Sequence, residues 1–284
     1  MKPKNVLKLL FLNSVQYNYI QYSVVKTLYY KRFNCCFTIQ LIIIKINEVF
    51  TIFVKLSNSI NLYYKKIGQG NPLILLHGNG DSHEDLEKLG QALARNFTVY
   101  LIDSRGHGKS SNHNEYFVYE DLAMDIDLFI RHFDLKDVNI IGHSDGAIIA
   151  ALLAIQNKTY LSKIILLGIT MKPEQMKSKW IKWIQSEYEK NHHPLFRLMI
   201  EEPQIEFNAL ENINIPTLVV AADDDVMELE SYIQIANHIS TSELYILENE
   251  DHMSYVVNTD KFADKAINFL QSHFYRWILS DSSG

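Results

Sequence analysis

The sequence is short of cysteine, of basic charge and of long apolar runs, and each shortage excludes something. Its 284 residues hold two cysteines, the adjacent Cys35 and Cys36. The remainder of the chain therefore has no disulfide and suits a reducing compartment, so a cytoplasmic location is expected. A formal net charge of −6 lacks the basic excess that nucleic-acid binding brings. The apolar runs Val6 to Leu12, interrupted by Lys8, and Phe37 to Ile44 fall short of the roughly 20 residues that cross a bilayer. No integral membrane span is expected. None of the 11 histidines lies in an H-E-x-x-H pattern, and no zinc-type cysteine pairing exists, so neither metal nor cofactor is implied. The stretch Gly106-His107-Gly108-Lys109-Ser110 ends like a phosphate-binding loop. That loop needs a glycine five positions before Gly108, where Asp103 stands.

What is present divides unevenly. Residues 1–47 carry seven Lys or Arg and no Asp or Glu, which leaves −13 for the rest. This basic N-terminal extension of uncertain order reads as a poorly ordered segment, as a peripheral membrane contact or as sequence from an upstream start. A secretory signal would need a continuous apolar core and a small-residue cleavage site, and neither is clean here. Residues 48–284, rich enough in apolar side chains to bury a large core, form the expected folded domain.

From Glu48 onward the pattern becomes regular. Two alternating runs, VFTIFVKL and INLYYKKIG, flank Ser57-Asn58-Ser59 and predict a hairpin. Short apolar strands then alternate with amphipathic helices. PLILLHG leads to a helix over about Ser82 to Arg95, opened by a capping-box pair, Ser82 and Asp85. FTVYLID leads to a helix near Tyr119 to Phe133, with Leu122, Ile126, Phe129 and Phe133 on one face. VNIIGHS leads into AIIAALLAIQ, and KIILLGI, TLVVAAD and ELYILEN follow before a last helix near Asp260. Fully apolar strands alternating with helices specify an α/β fold, a mostly parallel sheet covered on both faces. Reactive groups in such sheets collect at the carboxyl ends of the strands.

At one such end stands Gly142-His143-Ser144-Asp145-Gly146, the G-x-S-x-G pattern of a strand-turn-helix nucleophile elbow. Ser144 would be projected above the sheet at a helix start, where free N–H groups favour developing negative charge. A serine hydroxyl needs a base and an orienting acid. His252, between the last strand and the last helix, is the candidate base. The acid is one of Asp223, Asp224 and Asp225 after TLVVAA; the order Ser144, Asp225, His252 fits this architecture.

Together, HGNG (77–80), DSRGHGKS (103–110), GHSDG (142–146) and the pair ADDD and DHMS resemble the α/β-hydrolase fold superfamily over about residues 50–279. The likeness is to its small esterase-like and C–C hydrolase-like members. The resemblance implies oxyanion-hole N–H groups at Asn79 and Asp145, and it maps the acid to Asp225 with Ala222 where glycine is usual. Before His252 it has Asn249 where glycine is common, and Asn tolerates the left-handed region. It further implies that Asp103 and Arg105 brace the loop beside the elbow. An insertion over about 171–216 would form a short helical cap, although most of its apolar residues read as core packing. His192-His193 reads as solvated. The expected activity is hydrolysis of a small, hydrophobic ester or related carbonyl substrate through an acyl-serine. Its alternatives are a non-catalytic small-molecule binding protein and a C–C bond hydrolase. A small-molecule partner is expected, and the oligomeric state is open.

Overall fold

Eight strands form one sheet in the computed structural model, which describes residues 50–56, 60–111 and 116–272. The basic extension 1–47 and the hairpin residues 57–59 lie outside the described residues. In chain order the strands are β1 Phe50–Lys55, β2 Asn61–Ile67, β3 Asn71–Leu76, β4 Phe97–Ile102, β5 Val138–His143, β6 Leu161–Leu167, β7 Thr217–Asp224 and β8 Ser242–Asp251. Across the sheet they run β1-β2-β4-β3-β5-β6-β7-β8. The β1–β2 and β2–β4 pairings are antiparallel and all others parallel.

The helices are α1 Glu87–Leu93, α2 Tyr119–His132, α3 Asp145–Ile155, α4 Ser178–Asn191, α5 Pro194–Glu201, α6 Leu229–His238 and α7 Ala263–Gln271. The central strands are mostly apolar because both faces are covered. Alternate side chains sort accordingly. Ile74, Leu76 and Ile140 join the core under α2, α3 and α6, whereas Leu73, Leu75 and Ile141 join the core under α1 and α7. On the first face, Phe129 of α2 meets Tyr64 edge-on at 5.0 Å; burying an aromatic ring of this kind contributes about 2–3 kcal/mol.

Two predicted boundaries differ from the structure. Helix α1 starts at Glu87 rather than near Ser82. Ser82 and Asp85 do bond, with the Ser82 N–H donating to Asp85 Oδ2 at 2.9 Å and the Glu84 N–H donating to Ser82 Oγ at 3.2 Å. Those bonds close a turn ahead of the helix rather than capping it. The last helix likewise begins at Ala263, after a turn in which the Ala263 N–H donates to the Asp260 carbonyl.

Between β6 and β7 the expected cap segment holds α4, α5 and single turns at Pro173–Gln175 and Phe207–Asn212. His192 ends α4 with a left-handed backbone, and the His193 side chain accepts the Leu195 N–H at 3.3 Å while Pro194 opens α5. Both histidines are exposed, yet they are the joint between the two helices as well as solvated side chains. The carboxyl ends of β3, β5, β7 and β8 meet at one rim of the sheet.

Candidate active site

Ser144 sits at that rim between β5 and α3, with φ 51° and ψ −113°, a conformation that a non-glycine residue adopts only under restraint. The restraint is visible on both sides. The Ser144 N–H donates to the Leu167 carbonyl at 2.8 Å, and the Gly146 N–H donates to the His77 carbonyl at 3.1 Å. Gly146 is required by close approach: a Cβ there would lie 2.3 Å from the Leu76 carbonyl oxygen.

The three adjacent aspartates, indistinct in sequence, have three separate environments. Asp223 accepts the N–H groups of Asn249 and Glu250 at 2.8 and 3.2 Å, fixing the turn before His252. Asn249 has φ 58° there. Asp224 is exposed and pairs with Lys179 at 3.1 Å and Lys177 at 3.7 Å; Lys179 above all holds its carboxyl below the usual range. Asp225 is fully buried. Its Oδ1 lies 2.6 Å from His252 Nδ1 and accepts the Val226 N–H at 2.7 Å, while Oδ2 accepts the Ala222 N–H at 2.9 Å. Burial pushes the Asp225 pKa up, but the His252 bond and charge and the two backbone donors outweigh it and hold it below the ordinary value. An ionised Asp225 fixes the proton of His252 on Nδ1 and leaves Nε2 with a free lone pair.

His252 is seated against the backbone that also holds Ser144. Gly168, next to Leu167, leaves room for the imidazole: a Cβ at that position would stand 2.6 Å from His252 Cε1. Immediately before Ser144, His143 packs its ring 4.8 Å from the His252 ring and donates Nε2–H to the His252 carbonyl at 2.8 Å. Burial and the neighbouring His252 lower the His143 pKa to about 3, so it stays neutral. The elbow and the histidine loop are thus tied directly. Among the described residues, the Ser144 hydroxyl donates to no side chain; in unliganded sites such bonds commonly tighten when substrate arrives.

The loop after β3 lies alongside. His77 Nε2 accepts the Ser104 N–H at 3.0 Å, so its Nδ1–H donates to the Gly78 carbonyl at 2.8 Å. Burial and the adjacent His107 lower the His77 pKa to about 4. The N–H groups of Asn79 and Asp145 donate to no acceptor among the described residues. Their side chains bond to each other, Asn79 Nδ2 to Asp145 Oδ2 at 3.0 Å.

Asp103 accepts from the His83 N–H at 2.6 Å and the Lys109 N–H at 2.8 Å. Arg105 grips Asp125 through two bonds of 2.6 and 2.7 Å. Both brace the loop as the resemblance implied, though Arg105 does so by anchoring it to α2. His107 is buried beside His77, with its Nδ1 3.1 Å from the Arg105 carbonyl. Sequence reasoning missed His143, Gly168 and Tyr119, the last of which donates its hydroxyl to Asp145 at 2.7 Å. A histidine before the nucleophile and a glycine after β6 are visible as letters, but the contacts that give them a role join segments far apart in the chain.

Sheet order, elbow and rim define the α/β-hydrolase fold. A family model described as the alpha/beta hydrolase fold matches residues 71–198. The soluble epoxide hydrolase of Corynebacterium sp. (strain C12) is 32% identical over 112 residues, 39% of this chain and 39% of that protein. The match therefore spans about two-fifths of that relative's length. The serine hydrolase BPHL of Mus musculus is 24% identical over 248 residues, 75% of this chain and 84% of that protein. A crystal structure of the CarC enzyme, a serine hydrolase involved in carbazole degradation, superposes with a TM-score of 0.64 at 20% identity, covering 78% of this chain and 99% of the other. At that identity the likeness concerns the fold. The chain has this fold.

Proposed function

We propose that the protein is a serine hydrolase that cleaves a small, hydrophobic ester or related carbonyl substrate through an acyl-serine intermediate, with residues 48–284 as its domain and 171–216 as its cap. The observation that carries this reading is the buried Asp225–His252 pair at 2.6 Å, set against the same Leu167–Gly168 backbone as a strained serine at a helix start. Such a pair is built to accept a proton and to stabilise the resulting imidazolium.

In the proposed reaction His252 Nε2 takes the Ser144 proton as Oγ attacks the carbonyl carbon. Asp225 holds the imidazole and balances its charge. The N–H groups of Asn79 and Asp145, which have no acceptor to give up among the described residues, donate to the oxyanion. Collapse of the tetrahedral adduct expels the leaving group, which takes the proton back from His252. Water, deprotonated by the same histidine, then releases the acid and regenerates Ser144. The serine hydrolase named among the relatives supports this chemistry. No metal site arises among the described residues, and the reaction as written uses none.

The test is turnover of a chain-length series of p-nitrophenyl esters by the protein and by Ser144→Ala. Ser144→Ala is expected to reduce kcat by about 10⁴-fold or more with the fold unchanged by circular dichroism. Equal hydrolysis by both proteins would defeat the reading, and tight ligand binding without turnover in either would favour a binding protein.

A further inference from the structure

The Asp145 side chain is buried at the rim without an acceptor role inside its own helix. Burying a carboxylate is costly unless donors surround it, and both of its donors come from elsewhere in the chain. Tyr119, at the first position of α2 and 2% exposed, gives its hydroxyl to Oδ1 at 2.7 Å. Asn79, on the loop after β3, gives its amide to Oδ2 at 3.0 Å. The same amide nitrogen donates to the Leu195 carbonyl at 3.2 Å, in the first turn of α5. At the other end of α5, Glu202 Oε2 accepts the Tyr119 backbone N–H at 2.9 Å. An eight-residue helix is therefore fastened at both ends to one chain of bonds, Tyr119 to Asp145 to Asn79.

Asn79 belongs to no helix or strand, and its backbone N–H makes no hydrogen bond among the described residues. Its two side-chain bonds are what fix the direction of that N–H. One ends on the elbow and the other on the cap. We propose, resting on the serine hydrolase reading, that Tyr119 and Glu202 are positioning residues: through Asp145 and Asn79 they aim the Asn79 N–H at the developing oxyanion and link the seating of α5 to it. The elbow's own donor, the Asp145 N–H, is fixed by α3 and does not depend on the cap.

A structural role would cost stability alone; a positioning role costs transition-state stabilisation. Another tyrosine-to-carboxylate bond in the molecule, Tyr160 to Asp127 at 2.5 Å, provides the control because it involves no rim residue. The experiment measures kcat and KM on p-nitrophenyl butyrate, and inhibition by an alkyl trifluoromethyl ketone, which adds reversibly to a serine hydroxyl and places an oxyanion in the hole.

Tyr119→Phe is expected to lower kcat roughly 10- to 100-fold with KM changed less than about threefold, and to weaken the ketone by the same factor as kcat. Glu202→Ala, which leaves the buried tyrosine in place, moves both in the same direction, and Glu202→Gln, which keeps an acceptor oxygen, restores them. Tyr160→Phe lowers Tm without altering kcat. A Tyr119→Phe kcat within about twofold of wild type, or equal losses in Tyr160→Phe, overturns the proposal and leaves the serine hydrolase reading standing. A wild-type protein whose turnover does not depend on Ser144 overturns both.

Discussion

Helices α3 and α4 are built on opposite terms. In α3 nine of 11 residues are buried, including both residues that follow Ser144; in the 14 residues of α4 only Ile184 is. Helix α3 leans on β5 and β6 and cannot shift without opening the core. Helix α4 shows its Trp183, 48% exposed, to solvent, and its first turn is held by a surface pair, Lys179 with Asp224. The bed of Ser144 is tightly packed, and α4, in the proposed cap, is packed far more loosely. Strain of the kind seen at Ser144 persists only where the surroundings over-determine it, so the division of labour is a physical requirement of the elbow.

The harshest way to break this contrast is to loosen the bed. Gly146→Ala places a methyl 2.3 Å from the Leu76 carbonyl oxygen, and backbone rather than a side-chain tip must move. The expected loss is about 3 kcal/mol, read as a fall of about 6–12 °C in Tm. A variant as stable as wild type would show that α3 is not rigidly seated.

Acid probes the same bed more gently. His143 and His77 are kept neutral by burial, lowered from 6.5 to about 3 and about 4. Between those values and 6.5 the unfolded chain binds protons that the folded chain refuses, so stability falls as pH drops through that window. Asp81 works in the opposite sense. Burial and the nearby Asp85 and Asp145 raise it from 3.8 to about 6, so the folded state holds a proton that the unfolded state releases, and this contribution grows as pH falls. Asp145, Asp125 and Glu202 are raised as well, chiefly by burial, whereas Asp225 and Asp127 are lowered and lose stability together with the histidines; the two histidines are displaced furthest and set the sign, a net loss. Tm is expected to decline from pH 7 to pH 4.5, more shallowly in His143→Asn. A Tm that rises over that interval contradicts this balance.

The smallest effect is expected in the cover. Trp183 meets Trp180 and Phe196 edge-on at 6.0 and 5.7 Å but remains half exposed. Trp183→Ala should cost less than about 1 kcal/mol, measured by urea unfolding. A loss equal to that of Gly146→Ala would erase the distinction between the two regions.

The same contrast governs what could be read from sequence. The strands of the bed announce themselves because a parallel strand buried on both faces is apolar along its covered stretch, as in Leu73–Leu76 and Leu218–Val220. The elbow is local in sequence, five residues with fixed roles, so Ser144 stands out. The choice among Asp223, Asp224 and Asp225 was open because their separation depends on burial and on partners drawn from β8 and α4. The start of α1 was misplaced because the Ser82–Asp85 bonds that resemble a cap also close a simple turn. Tyr119 and Glu202 left no signal, since an aromatic at a helix start and an acid after one are commonplace. Their meaning comes from a contact 83 residues apart in sequence.

In the proposed reaction Asp225, through His252, makes Ser144 reactive. Its most direct test is the rate at which a fluorophosphonate probe labels the protein, followed by mass spectrometry of the modified peptide. The account predicts labelling confined to Ser144, slowed by about 10³-fold or more in Asp225→Asn and unchanged in Asp224→Asn. Equal rates in all three proteins, or modification at another residue, would contradict it.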